Sequence, residues 1–566
     1  MFYFENLIGN EYFPEEIPPA FTTDNLSKVA KGVLDKLKQS GYNTKKITSI
    51  PCRFNGYKTR NTRRRFAIPN PYFYSSAVYE IVNHSQDLFN VFSKSKYSLT
   101  CPIKGKPNKD QAYKKRSVTI SDTKKALEIS YQNNRYEIHL DINSCFDSIY
   151  THSIPWALHG KKAAKKQRGN NLFGNIIDKH MRDMNDGQTN GILVGNAVSR
   201  IISEIILCSI DEAISNKFNG ISCCRYVDDY YIYTENSSEI LEIISFITSQ
   251  LSQYELNLNS NKTQINESPF IYGKTWIEPI KQYLHLPPDV FLSKIIMEYI
   301  KTDDIAVLKY GLRVLSSFDF DNSNWNTMES RLLNLWVQFP VLSDRILISL
   351  INNKEHINKN NLKLAINSVI NNSLDLNYDQ ELIWAIWFAK VFEINLNIDT
   401  QCKILSYSCD IASIILLDLI YSNTKENSPK IKKSLSQLLE VLIPSDLEED
   451  QDIMWTSHWL LIYESGRNNW IDTKLKDAIQ NNKFFKALLD KDIYFYDRNY
   501  EYEIKKVGSN HPSGFVTKKE LNVKLSELKR IIEKLVNDNV DIENNNEVDI
   551  ILKDVTDIID NTSNIY

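Results

Sequence analysis

Residues 222–237 read SCCRYVDDYYIYTENS. Two β-prone runs, CCRYV and YYIYT, flank Asp228–Asp229 with almost no room for a loop, which predicts a tight hairpin carrying both acids at its tip. Adjacent carboxylates in such a turn repel each other and add nothing to packing. Their useful property is binding a divalent cation, whose charge offsets the repulsion. An Asp-Asp pair taken alone is more often a capped turn, so its meaning depends on the companions the chain supplies.

The first companion lies upstream, in RYEIHLDINSCFDSIY at residues 135–150. Tyr136, Ile138, Leu140 and Ile142 alternate with Glu137, His139 and Asp141, the period of a strand buried on one face. Asp141 falls on the opposite face near the strand's end. A single strand-end Asp usually caps a helix. Set beside Asp228 and Asp229, it completes a site for two metal ions about 3.5–4 Å apart, able to activate a 3′-hydroxyl and stabilise a leaving pyrophosphate. Mg²⁺ suits such an all-oxygen, partly hydrated site, with Mn²⁺ as the substitute.

These residues resemble the palm of reverse transcriptases. Tyr226-Val227-Asp228-Asp229 matches their YxDD box, and Asp141 sits where their first palm carboxylate sits. The resemblance implies that Asp141, the backbone carbonyl of Ile142, Asp228 and Asp229 hold the metal ions. It makes Phe146 the aromatic gate that excludes a 2′-hydroxyl and so selects dNTPs; core packing is the other reading. NGILVGNAVSRIISEI (190–205) resembles the template-and-nucleotide loop, with Gly195 and Ser199 matching its small residues and Arg200 standing where a Pro is common. LNLNSNKTQI (256–265) resembles the next palm motif, and Lys262 matches its lysine, a proton donor to pyrophosphate. Arg63, Arg64 and Arg65, before FAIPNP, resemble the basic fingers motif that holds the triphosphate.

Composition agrees with a helix-rich, multi-domain chain. It has 566 residues, 42% hydrophobic and 24% charged, with 11% aromatic and only 17 Gly, and a single core of that length is not expected. No stretch reaches the roughly 18–20 apolar residues of a membrane span, and the acidic N-terminus lacks a secretory pattern. The eight Cys show no metal-ligand spacing, so zinc is not expected and reduced cytosolic (cytoplasmic) thiols are. The net charge of −3 conceals an asymmetry: residues 51–200 hold 25 Lys/Arg against 11 Asp/Glu, and residues 201–566 hold 36 against 53. A basic block within an acidic protein points to a phosphate-rich partner at that block, which the reverse-transcriptase resemblance makes nucleic acid and dNTPs; the other reading is a solvated basic face.

The expected architecture is an α+β polymerase palm and fingers of reverse-transcriptase type, followed by an all-α HEAT-like helical-repeat domain. Residues 1–130 form a lead-in and fingers, with LSKVAKGVLDKLKQSGY as an amphipathic helix ended by Gly41. Residues 131–284 form the palm. From 285 to 510, helical-period segments such as SKIIMEYIKT and QELIWAIWFAKVF follow one another between short polar breaks. Residues 511–566 form a charged helical tail. His152 and His159 read as local structure and Trp156 as a core anchor.

DSIYTHSIPWALHGKKAAKKQR (147–168), with the 190–205 segment, is similar to bacterial abortive-infection and defence-associated reverse transcriptases of the AbiK type. That narrower resemblance implies phage defence, homo-oligomeric assembly, DNA synthesis without a template, and priming on a tyrosine hydroxyl. Tyr3 and Tyr12 are accessible candidates for the primer, against a buried role for each. The competing expectations are a templated reverse transcriptase copying a dedicated RNA, as in retrons, and a degenerate polymerase serving as a scaffold.

Overall fold

The computed structural model describes residues 2–42, 47–116, 120–270, 275–318, 322–422, 428–444 and 452–502. The expected charged tail at 511–566 lies outside them.

Among the described residues six strands form two antiparallel sheets. β1 (Cys52–Thr59) and β2 (Thr62–Ile68) make a separate hairpin in which Tyr57 faces Arg63 and Asn55 faces Arg65. β3 (Tyr136–Asp141), β4 (Ser222–Tyr226), β5 (Asp229–Thr234) and β6 (Gln264–Glu267) form the second sheet in the order β4-β5-β3-β6. The expected inner face is buried, Ile138 and Leu140 fully with Ile142 following them into the core, but β3 is not open on its other face as its alternation suggested. Glu137 and Asp141 are also buried, so both faces of β3 are covered.

Helix Ala197–Lys217 lies against this sheet, its Glu204 and Asp211 bonding to Arg225 of β4 and its Asp211 to Tyr230 of β5. Ile201, Ile202, Ile205, Ile206 and Ile210 are all fully buried along it. A helix buried over most of its circumference, its acids paired within the fold, belongs in an interior. It packs on helices Ser85–Phe92, Ser153–His159 and Ile240–Gln253. Asn196 starts it by accepting the Ser199 N–H at 2.9 Å, which satisfies an otherwise orphaned donor.

The chain divides into two compact units. One comprises the described residues within 1–116, 129–270 and 363–500, and the other those within 117–128 and 271–362 together with 501–502. Residues 363–500 thus share the unit of the catalytic sheet. Main-chain bonds stitch their far end to the start of the chain, from Thr22 N to Phe495 O at 3.0 Å and from Asp497 N to Ala20 O at 2.8 Å. Trp384 Nε1 donates to Glu16 O at 2.8 Å, and helix Asp379–Val391 packs on β1.

The second unit is built from helices Pro288–Thr302, Ile305–Leu315, Asn322–Gln338 and Ser343–Asn352 among its described residues. Gly311 lets the first two approach closely, because a Cβ there would run into the Ile295 side chain. Among the described residues from 275 onward there is no strand. No helix in the described residues is long and apolar enough to cross a membrane.

Candidate active site

The sheet register brings the three acids together. Asp141 ends β3 directly opposite Asp229, the first residue of β5, and Asp228 occupies the turn between β4 and β5. Facing residues of an antiparallel pair lie about 4.5–5.5 Å apart, so Asp141 and Asp229 are neighbours by construction. Asp228 is pushed up to about 6, first by burial and then by the charges of Asp229 and Asp141. Negative charge has been gathered there without full compensation.

Val227 makes the turn possible at a cost. Its φ is +56°, a region that a β-branched residue avoids, worth about 1–3 kcal/mol of strain. Two bonds hold its peptide groups. Val227 N donates to Thr100 Oγ1 at 3.2 Å, and Arg225 Nη1 donates to Val227 O at 2.7 Å.

Segment 256–265 wraps Asp141. Asn259 N donates to Asp141 O at 2.8 Å, Asn259 Nδ2 to Asp141 Oδ2 at 3.1 Å, and Lys262 Nζ to Asp141 Oδ1 at 3.1 Å. Lys262 is therefore at the acids, as its motif suggested. Ile142 bridges to Leu258 beside it. Two further groups at the site escaped the sequence reading. His139 Nε2 lies 3.1 Å from Asp229 Oδ1, its ring stacked on Tyr231, and Asn259 grips Asp141 as described. The strand's period already put His139 on the face of Asp141; nothing local revealed that β5 would bring Asp229 to it.

Phe146 is half-buried, five residues beyond Asp141, and its carbonyl accepts from Ile192 N at 2.9 Å. That bond joins it to the 190–205 loop. In the same loop Gly195 has φ +111°, and a Cβ there would strike Pro14 and approach Phe66, so packing alone accounts for a glycine. Ser199 is fully buried, its hydroxyl without a hydrogen-bond partner among the described residues. Arg200 pairs with Glu11 at 3.2 Å.

The three arginines of β2 divide. Arg63 is tied to both carboxylate oxygens of Glu381, donates to Asn55 Oδ1 at 2.8 Å, and lies over the Tyr378 ring at 4.1 Å. Arg64 and Arg65 are exposed. Burial lowers the Arg53 guanidinium, and the charge of Arg65 lowers it further against opposing pulls from Asp147 and Asp186.

Some expectations need correction. Tyr12 is buried, and its phenol donates to Pro69 O, so it is not an accessible hydroxyl. Tyr3 is 40% exposed. Trp156 is only half-buried and carries Lys161 Nζ at 4.1 Å over its ring. His152 and His159 do serve local structure: His152 Nδ1 lies 2.8 Å from Asp178 Oδ2, and His159 Nε2 accepts from Gly174 N at 3.1 Å.

Residues 99–276 match the family model for reverse transcriptase (RNA-dependent DNA polymerase). This segment is a reverse transcriptase domain. It is of the nucleotidyltransferase class, and it contains every palm motif, whereas Arg63–Arg65 lie ahead of the matched span. Curated protein sequences offered no match. Solved structures similar to the chain include Candida albicans telomerase in complex with a TWJ fragment of telomeric RNA, at 12% identity and TM-score 0.28. That match covers 57% of this chain and 62% of the telomerase chain, so the chain spans less than two thirds of its length. Apo telomerase from Candida tropicalis matches at 13% identity and TM-score 0.30, over 77% of this chain and 73% of that one.

Reverse transcriptase domains use divalent metal ions, and the donors here fit one. Among the described residues no group of three or more His, Cys, Asp or Glu side chains is placed to cage a metal ion by itself. A palm does not need a cage, because Mg²⁺ binds through one or two carboxylates and keeps waters and substrate phosphates as its other ligands. The raised Asp228, next to two further carboxylates, supplies the uncompensated charge that such an ion would neutralise.

Proposed function

We propose that this chain is a DNA polymerase of bacterial phage defence, joining dNTPs in its reverse transcriptase domain without a template and starting on a tyrosine of its own. The observation that carries the catalytic half of this reading is the register of Asp141 opposite Asp229 with Asp228 in the adjoining turn. Asp141, the Ile142 carbonyl, Asp228 and Asp229 would hold two Mg²⁺ ions. When bound, these ions would activate the attacking hydroxyl and stabilise the departing pyrophosphate. Lys262, beside Asp141 and largely exposed, would deliver a proton to that pyrophosphate. Arg64 and Arg65 would meet the triphosphate, while Arg63, engaged by Glu381, braces the hairpin that presents them.

Phe146 would read the sugar. Phe146→Ala is expected to raise rNTP use relative to dNTP use by about tenfold or more, the scale at which an apolar pocket separates near-identical ligands. Competition assays with matched rNTP and dNTP pairs measure this ratio. Retained activity with an unchanged ratio would return Phe146 to a packing role.

The defence reading draws its support from the similarity of residues 147–168 and 190–205 to abortive-infection enzymes and from the helices beyond 285. We read those helices as HEAT-like repeats through which copies assemble, although the stretch 363–500 belongs to the unit of the catalytic sheet. The physical demand of self-priming is that a phenol reach the metal site at an attack distance of about 3–3.5 Å. Incubation with labelled dNTPs and Mg²⁺ but no template, followed by denaturation, tests it. Label is expected to travel with the protein until protease releases it, leaving a nucleotidyl-tyrosine peptide. Label that runs as free nucleic acid without protease would reject self-priming. Synthesis that depends on a co-purifying structured RNA would instead make this a templated enzyme.

A further inference from the structure

We propose that Arg225 and Thr100 are positioning residues that clamp the catalytic turn through the backbone of Val227 and thereby set where Asp228 stands. The inference deepens the nucleotidyltransfer reading and rests on it for its kinetic half.

Arg225 is completely buried at the end of β4. Its Nε and Nη2 reach Asp211, at 3.0 and 2.8 Å. Its Nη1 and Nη2 reach Glu204, at 3.3 and 3.0 Å. Both acids lie seven residues apart on helix Ala197–Lys217, so they share one face of it. With its fork fixed by two buried carboxylates, the guanidinium has one direction left for Nη1, and it points at Val227 O, 2.7 Å away.

Thr100 closes the clamp from the other side. Its hydroxyl donates to Glu204 Oε1 at 2.6 Å and accepts the Val227 N–H at 3.2 Å. Arg225, Glu204, Thr100 and Val227 thus form a closed ring in which both peptide groups of the turn residue are held. Main-chain bonds keep β4 and the segment 97–99 in step, from Arg225 N to Tyr97 O and from Leu99 N to Arg225 O, each 2.8 Å.

A buried ion cluster is a poor way to gain stability, since apolar side chains of similar volume do as well. What it supplies instead is direction. Val227 occupies a backbone region from which an unrestrained valine would relax, and any relaxation would swing Asp228 away from Asp141 and Asp229. Displacement of a catalytic group by about 1 Å costs on the order of a hundredfold in rate.

The test compares Thr100→Val with Thr23→Val in the full chain. Both exchange a hydroxyl for a methyl, but the Thr23 hydroxyl donates to Ile8 O at 2.6 Å and takes no part in the ring. Two quantities are read: kcat and KM for dNTP incorporation, and hydrogen–deuterium exchange of the peptide spanning 224–230. Thr100→Val is expected to lower kcat about tenfold or more with KM within about twofold, and to speed exchange in that peptide about tenfold. Thr100→Ser, which keeps the hydroxyl, should recover both, and Thr23→Val should move neither. Equal effects of Thr100→Val and Thr23→Val, or wild-type kcat and exchange in Thr100→Val, would overturn the clamp. If the wild-type chain incorporates no nucleotide, the nucleotidyltransfer reading fails by itself. Exchange in the three variants still decides whether Thr100 holds the turn.

Discussion

Asp228→Asn and Asp141→Asn should each reduce nucleotide incorporation by about a thousandfold or more, close to 4 kcal/mol of transition-state stabilisation. Asparagine keeps the size and one oxygen of the side chain but removes the charge that an ion pair at the site depends on. The two variants should differ in stability. Asp228 carries a charge that burial and two acidic neighbours oppose, so its loss relieves repulsion, and the metal-free variant should melt no lower than wild type. Asp141 loses its pairing with Lys262, a lysine 58% exposed, and a solvent-screened pair of that kind is worth about 0–1 kcal/mol. Single-turnover incorporation and thermal melting together check this. Near-normal incorporation by either variant would sink the assignment of the acids.

What the sequence made legible here follows from the range of each signal. Strand alternation has period two, so the side of β3 that carries Asp141 could be read locally, and the near-absence of residues between CCRYV and YYIYT forced a tight turn. The Arg225 clamp could not be read in the same way. Glu204 and Asp211 sit within a run of buried isoleucines whose periodicity says only that the helix is interior, and Thr100 lies more than 120 residues from Val227 in the chain. The N-terminal segment was misleading for the same reason. Its position near a chain end suggested that Tyr12 would be accessible, but Tyr12 packs edge-on against Tyr74 with its phenol on Pro69. Residues 285–510 read as a helical run, and helices joined by short irregular segments are what their described residues form. That this run returns to bond with residues 16–22 is a matter of long-range topology, and no local period encodes it.

That return is the basis of the second large effect. Asp418, 1% exposed on helix Asp410–Ser422, accepts from Arg498 Nε at 2.7 Å, from the Tyr496 hydroxyl at 3.0 Å and from Lys390. It therefore joins helix Asp379–Val391 to the 496–498 segment, whose Asp497 N bonds to Ala20 O. Asp418→Asn leaves a lysine and an arginine facing a neutral group. Removing one partner of a buried cluster costs about 3–5 kcal/mol, and here the lower end is expected, since Arg498 is 35% exposed and water can reach it. For comparison, Lys430 and Asp399 form a pair at 2.8 Å in which both side chains are at least 70% exposed. Lys430→Ala should therefore leave the unfolding midpoint close to that of the wild type. In urea, a loss of about 3 kcal/mol should move the unfolding midpoint by about 1 M, and limited proteolysis near 490–500 should quicken in Asp418→Asn alone. If the two substitutions shift the midpoint equally, Asp418 is not the residue that fastens the C-terminal helices to the start of the chain.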